Sequence, residues 1–341
     1  MKILVTGGCG FIGSHLVDRL IKEKHRVVVV DDLSTGNKRN LNPKAKFYKL
    51  DIRNPKISDV FKKEKPEIVF HLAAQIDLRK SVEYPIENAR INILGSLNII
   101  ESFYNSWHSH TGSYHSYYKF IFASTDGAIY GDAALVPTLE SYPEFPLSPY
   151  GIEKLTIDKY LNYYYKVFGL PYVSLRLSNV YGPRQNSKGE AGVIAIFCDK
   201  MLTPYRTEGS GSGLSGKFTL HRTRSGEKQA VINGSGRQNR DYVYVNDVVE
   251  ASILALKKKK TGVYNIGTAK ETNVNTIFRK IRKLTNSNCK EIHIPEKPGE
   301  QKRSCLDYSK AKKELGWQPK YDLDRGLKET VEWFRKKSLS H

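Results

Sequence analysis

The chain has 341 residues, 39% of them hydrophobic and 26% charged, the make-up of a globular protein with room for two domains or one large one. No run approaches 18 apolar residues, so no membrane span is expected, and the N-terminus enters an apolar strand without a secretory signal. The net charge of +20 suits an anionic ligand, but the lysines are spread over helices and loops, so nucleic acid is not expected as a partner. Cys9, Cys198, Cys289 and Cys305 lie far apart and lack metal-ligand spacing, so a reduced, cytoplasmic protein with no metal site is the expectation.

The opening MKILVTGGCGFIG sets the fold. Residues 3–5 read as a buried strand, Gly7, Gly10 and Gly13 follow at spacings of three, and a helix runs from Phe11 to about residue 24. Such a turn brings backbone close to a pyrophosphate at a helix N-terminus, where N–H groups and the helix dipole favour negative charge. A second strand over 26–30 ends at Asp31, 24 residues beyond Gly7, a position suited to accept from adenosine ribose hydroxyls. A carboxylate there repels a ribose phosphate, so NAD is expected rather than NADP. The loop 33–37, ending in Asn37, is placed along the cofactor.

Further strands are expected at 47–50 and 68–72, with a helix between them at 56–63. The segment HLAAQ at 71–75 puts small residues after a buried strand, where a cofactor can approach; His71 itself reads as structural rather than as a base. A helix is expected over 90–103, carrying Asn92. Residues 105–118, with histidines at 108, 110 and 115 but no carboxylate or cysteine, read as an exposed polar loop rather than a metal site. A strand at 120–123 leads to Ser124, Thr125 and Asp126 at its C-terminal end, the edge where open parallel sheets bind ligands. After a proline-rich loop, a helix from about Ser148 carries Tyr150 and Lys154 one turn apart, on the same side.

From the strand at 172–177 onward the alternation of strand and helix fades. This predicts a Rossmann-type, doubly wound α/β domain over 1–177, which also receives about 233–267. A smaller mixed α/β domain over 178–232 and 268–341 is expected to hold the substrate. Within it a helix is expected at 193–202, then a flexible insert at 207–228 with a small hairpin at 217–222. Strands are expected at 230–232, 240–245, 263–266 and 291–294. Helices are expected from about 247, capped by Asn246 or Asp247, and at 272–285, 309–315 and 323–337.

A tyrosine, with an ordinary pKa near 10, is a poor base at neutral pH unless its phenolate is stabilised. Lys154 one turn away, together with a nicotinamide cofactor, could supply that charge and fit Tyr150 for acid–base work on a sugar or alcohol hydroxyl, with Thr125 holding the same oxygen.

The stretches TGGCGFIG at 6–13, DDLSTGN at 31–37, DIR at 51–53, HLAAQ at 71–75, NILG at 92–95 and YGIEK at 150–154 occur in order. NVYGPRQ at 179–185, RDYVYV at 240–245, YNIG at 264–267 and LGWQP at 315–319 continue them. Together they resemble the extended short-chain dehydrogenase/reductase family, and within it the NAD-dependent nucleotide-sugar epimerases of the UDP-glucose 4-epimerase type. The resemblance covers nearly the whole chain except 105–118 and 207–228. It implies a tightly held, recycled NAD: Tyr150 takes the sugar 4-hydroxyl proton as hydride leaves C4, and the 4-keto sugar turns and is reduced on its other face. It further implies cofactor contacts from Gly7, Gly10, Phe11, Ile12, Asp31, Asn37, Asp51, Ile52, Leu72, Ala73, Ala74, Asn92, Tyr150 and Lys154. Thr125, Asn179, Arg240, Arg303, Ser304 and Asp307 would bind the UDP-sugar, with a small Ser304 leaving room for an N-acetyl group.

The chain departs from the pattern at Ser124-Thr-Asp-Gly-Ala-Ile-Tyr130, where Asp126 stands at the usual serine position and the loop resembles a branch with one extra residue. A dehydratase would carry a glutamate where this chain has Gly127. UDP-glucuronate 4-epimerase, 4,6-dehydratase and reductase activities remain the alternatives. The resemblance also implies homodimerisation through the helices 92–103 and 149–167; Tyr160, Tyr163 and Tyr164, read as exposed on the second, either sit in that interface or pack on the sheet.

Overall fold

A computed structural model describes residues 1–111, 118–188, 192–203, 228–296 and 301–339. The strands of its first half are β1 (Lys2–Thr6), β2 (Arg26–Asp31), β3 (Lys46–Lys49), β4 (Ile68–His71), β5 (Lys119–Thr125), β6 (Tyr172–Leu177) and β7 (Asn179–Tyr181). Then come β8 (Gln229–Asn233), β9 (Asn239–Tyr244), β10 (Gly262–Ile266), β11 (Glu271–Asn273), β12 (Lys290–Ile294) and β13 (Arg303–Ser304). The helices are α1 (Phe11–Lys22), α2 (Ile57–Glu64), α3 (Leu78–Glu83), α4 (Pro85–Ala89), α5 (Ser96–Thr111), α6 (Gly127–Tyr130) and α7 (Pro149–Phe168). After them lie α8 (Val193–Leu202), α9 (Val245–Lys257), α10 (Val274–Thr285), α11 (Ser309–Leu315) and α12 (Leu323–Leu339).

The main sheet has seven parallel strands in the order β10-β6-β5-β4-β1-β2-β3. Its inner strands are apolar on both faces because both are covered by helices. Ile3, Val5, Val27, Val29 and Phe70 pack with Leu16, Val17 and Leu20 of α1 and Val248 and Ala251 of α9. The alternate residues Leu4, Val28, Val30, Val69, Phe120 and Phe122 meet Phe61 of α2, Ile99 and Phe103 of α5, and Ile157 and Leu161 of α7. A third core joins Phe197 of α8, Phe278 of α10 and Phe334 of α12 against Tyr242 and Tyr244 of β9. Strand β9 centres the smaller sheet, pairing with β7, β11 and β13, while β8 and β12 form a separate parallel pair.

Several expectations are corrected. Strand β9, grouped by sequence with the first layer, belongs to the smaller sheet; α9 and β10 are the late segments that lie on the seven-stranded sheet. Helices α3 and α4 were not anticipated, and the helix expected from residue 90 opens with a π-type stretch, Arg90–Gly95. Residues 105–111, expected in a polar loop, continue α5, and Trp107 Nε1 donates to the Pro66 carbonyl at 2.8 Å. His115 lies outside the described residues, as do the hairpin at 217–222 and the insert as far as residue 227. Asp247 does not cap its helix: Tyr244 holds that position, and the Asp247 carboxylate accepts from the Lys320 and Tyr321 N–H groups at 3.1 and 3.0 Å. Tyr164 is buried, unlike Tyr160 and Tyr163. Among the described residues no helix is long and apolar enough to cross a membrane.

Candidate active site

The carboxyl ends of β1, β2 and β4 converge on the glycine turn. Gly7 has φ +71°, and a Cβ there would lie 2.8 Å from the Ala73 nitrogen; a Cβ on Gly13 would lie 2.1 Å from the Gly7 carbonyl oxygen. Neither position tolerates a side chain, so backbone can approach a ligand there. Gly10 is the N-cap of α1 and no side chain caps it, which leaves the first-turn N–H groups to an anion. Phe11 and Ile12 begin that helix, both half-buried. Asp31 is buried at the end of β2; its carboxylate accepts from the Cys9 N–H at 2.9 Å and the Leu33 N–H at 2.8 Å. Burial pushes its carboxyl up, and these two N–H groups oppose the shift. Asn37 follows on the same side, its N–H donating to the Cys9 carbonyl at 3.0 Å. The turn, the uncapped helix and the buried carboxylate fit the pyrophosphate and adenosine ribose of NAD.

Other expected cofactor residues are engaged with protein. Asp51 forms a two-pronged pair with Arg53, and Ile52 is buried against Gly95. The Asn92 amide accepts from the Gln75 N–H at 2.9 Å and donates to the Gln75 carbonyl at 2.9 Å and to Glu153 at 2.8 Å, so it shapes the loop after Leu72, Ala73 and Ala74. His71 is fully buried between Thr6, at 2.7 Å from Nδ1, and Ser96, at 2.8 Å from Nε2. Ser96 donates to the Asn92 carbonyl, so its hydroxyl accepts from Nε2–H, and Thr6 donates to Nδ1. Burial, then the charge of Lys154, depresses this imidazole to about 3, which keeps it neutral and structural.

Tyr150 and Lys154 lie in the first turns of α7, whose N-cap Ser148 accepts from the Gly151 N–H at 3.2 Å. Lys154 is buried, donates to the Ala123 carbonyl of β5 at 2.8 Å, and sits 5.9 Å from the Tyr150 ring centroid. Burial pushes the ammonium down to about 8. A Cβ on Gly151 would lie 2.0 Å from the Ala128 carbonyl, so the turn after β5 presses directly on α7 beside Tyr150. Thr125 ends β5, paired in register with Leu177. Behind this face, the buried Arg176 donates to Asp158 at 3.0 Å, to the Tyr130 hydroxyl at 2.8 Å and to Glu144 at 2.5 Å. This network was not anticipated; its signal in the sequence is an arginine inside the apolar strand YVSLRL, because a buried charge requires partners.

The expected substrate residues gather where the smaller sheet meets this edge. Arg240 donates to the Asn239 and Gln301 carbonyls at 2.9 and 2.5 Å. Ser304 of β13 is paired in register with Arg240, and its hydroxyl donates to Asp126 at 2.8 Å. Ser304 is therefore not merely a small side chain, as expected; it is half of a buried polar pair. Arg303 is half-exposed and makes two 2.5 Å contacts with Glu271. Asn179 opens β7, paired with Tyr242, and the Asp307 carboxylate accepts from the Ser309 N–H at 2.7 Å. Gly127 packs under the Gln301 side chain, whose Oε1 would lie 2.2 Å from a Cβ at this position.

A parallel sheet of this order, with a glycine turn at one strand end and a Tyr–Lys pair beside another, defines an extended short-chain dehydrogenase/reductase. Residues 3–267 match the NAD dependent epimerase/dehydratase family, and the chain belongs to it. It is similar to the UDP-glucose 4-epimerase of Thermotoga maritima, solved with UDP-glucose, at 44% identity over 99% of both chains and a TM-score of 0.87. It also resembles the UDP-glucose 4-epimerase of Thermus thermophilus, solved in complex with NAD, at 35% identity over 98% of this chain and 99% of that one, TM-score 0.84. The UDP-glucose 4-epimerase of Mycolicibacterium smegmatis is 36% identical over 99% of this chain and 100% of its own length.

Proposed function

We propose that this chain interconverts UDP-hexoses that differ at the sugar 4-position, UDP-glucose and UDP-galactose first among them. The observation that carries the reading is Lys154, buried and anchored on the Ala123 carbonyl one turn from Tyr150, at the strand edge that ends in Thr125. In this reading Tyr150 takes the proton from the sugar hydroxyl and later returns it. Lys154 supplies the positive charge that favours the phenolate. Thr125 holds the same sugar oxygen. Gly7, Gly10 and Asp31 would hold NAD, which when bound would supply a reversible acceptor for the hydride that leaves the sugar carbon and returns to it. Arg240, Arg303, Asn179 and Asp307 are assigned to the UDP end, with Arg303 sharing its charge between Glu271 and phosphate. A glycine at 127, where a dehydratase would carry a glutamate, supports epimerisation without loss of water.

Residues 1–177 with α9 and β10 would hold NAD, and the remainder the nucleotide sugar. The test is NMR of the purified protein with UDP-glucose, and in a second tube with UDP-N-acetylglucosamine, no cofactor being added. A 4-epimer that disappears with Tyr150→Phe supports the reading; an unchanged UDP-glucose or a 4-keto-6-deoxy product overturns it. Pairing of two copies through α7 and the stretch before α5 is part of the proposal. It is supported by Ile152, Tyr160 and Tyr163, 51%, 39% and 48% exposed, and by Leu94 at 58%. Light scattering that gives a monomer would remove it. A reducing, cytoplasmic setting fits the four unpaired, buried cysteines.

A further inference from the structure

We propose that Glu153 is a positioning residue for the reaction, whose buried carboxyl fastens the loop after β4, with α3 and α4 beyond it, to the helix that carries Tyr150 and Lys154. The inference rests on the UDP-hexose reading above. Glu153 lies on α7 one turn after Tyr150, and it is buried together with Asn88 of α4 and Asn92 of the π-type stretch. Its Oε2 accepts from the side-chain amides of both asparagines, at 2.8 Å from Asn92. The other ends of the same two amides hold Gln75. Asn92 Oδ1 accepts from the Gln75 N–H at 2.9 Å, and Asn88 Oδ1 accepts from the Gln75 side-chain amide at 2.5 Å. Gln75 also donates to the carbonyl of Asp77, the N-cap of α3, at 2.9 Å. Ser81 of α3 makes a second attachment to α7: fully buried, it accepts from the Tyr150 N–H at 3.3 Å.

A primary amide presents an acceptor on one side and donors on the other, and its shape does not choose between them. The Glu153 carboxyl makes the choice. By accepting from both Nδ2 groups it turns both Oδ1 atoms toward Gln75 and so sets the path of the loop. Asn92 is re-aimed for this by its π-type turn, a geometry frequently found at functional sites. The loop leads straight to the glycine turn: the Leu72 and Ala73 N–H groups each donate to Thr6 Oγ1 at 3.2 Å, and the Ala73 nitrogen is the atom that a Cβ on Gly7 would meet. The tie thus runs from the turn where NAD would be held to the Tyr–Lys pair. Burial pushes the Glu153 carboxyl up, and the Asn92 and Asn88 amides oppose the shift. Protonated or ionised, the group keeps an acceptor oxygen, so the tie does not depend on its charge.

The test is the kinetics of UDP-glucose 4-epimerisation by the wild type, by Glu153→Met, which keeps the length and removes the acceptor, and by Glu153→Gln, which keeps an acceptor oxygen. The Met variant is expected to lose about 100-fold in kcat, the effect of a displaced positioned group, with KM changed by less than about threefold. The Gln variant is expected to recover to within about threefold of the wild type. A Met variant as active as the wild type, or a Gln variant as impaired as the Met variant, overturns the inference. Hydrogen exchange gives a readout other than activity. In Glu153→Met the amides of residues 75–95 are expected to exchange about tenfold faster while those of β1 and β2 keep their wild-type rates. Unchanged exchange at 75–95, or an equal rise throughout the chain, overturns the inference. Should Glu153→Met not fold, Asn88→Ala, at the other end of the tie, is expected to lower kcat about tenfold at constant KM, and an unchanged kcat overturns the inference. A wild type that leaves UDP-glucose unaltered would instead overturn the underlying reading, while exchange at 75–95 still tests the tie, so the two failures are distinguishable.

Discussion

At the scale of single residues, the proposed acid–base pair and the buried histidine give separable predictions. Tyr150→Phe should lower kcat about 10²–10⁴-fold, the usual range for losing a positioned acid–base group, with little change in melting temperature. His71 makes its own pH test. Its folded value of about 3 lies below the ordinary 6.5, so between them the unfolded chain binds a proton that the folded chain does not. The stability it contributes is complete above about pH 6.5 and is lost as pH falls toward 3. Urea midpoints at pH 7.5 and 5 should differ more for the wild type than for His71→Asn; equal differences would refute the assignment. The glycine turn, Asp31 and the Tyr–Lys spacing were legible because each is a local backbone or helical constraint. The Asp126–Ser304 pair was not, because its members are 178 residues apart and only packing of the smaller sheet against β5 brings them together.

At the scale of elements, α7 is set by its cap and by one glycine. Ser148→Ala removes the side chain that satisfies the Gly151 N–H and should cost about 1 kcal/mol, read from the denaturant midpoint. Gly151→Ala places a methyl group against the Ala128 carbonyl, so the helix and the turn after β5 must part beside Tyr150. The expected result is a fall in kcat of about 100-fold, the effect of displacing a positioned group by about 1 Å, larger than any change in KM. Periodicity gave the helices that carry a clear apolar stripe, such as α10 with Asn273 at its N-cap. It missed α3 and α4, which are too short to display one and lie on the site side of β4. It also ended α5 too early, because a run of Ser, His and Thr has loop composition although the backbone continues as helix.

At the scale of the whole molecule, Arg176 ties β6 to α7 through Asp158 and to the loop before α7 through Glu144, and Tyr130 extends the network to Asn265 of β10. Arg176→Met leaves Asp158 buried without its counter-charge and should cost about 3–5 kcal/mol in denaturant unfolding. The doubly wound sheet was readable from its apolar strands, whereas the membership of β9 was not, since its apolar run at 242–244 suits a buried strand of either sheet. The same long-range layout bears on heredity by recombination. A crossover between two genes of this family near codon 268 would deliver the residue at 304 from one parent and the residue at 126 from the other. Offspring of such an exchange would inherit an unmatched buried pair, so the residues at 126 and 304 would have to change as two coordinated substitutions rather than as one transferred segment.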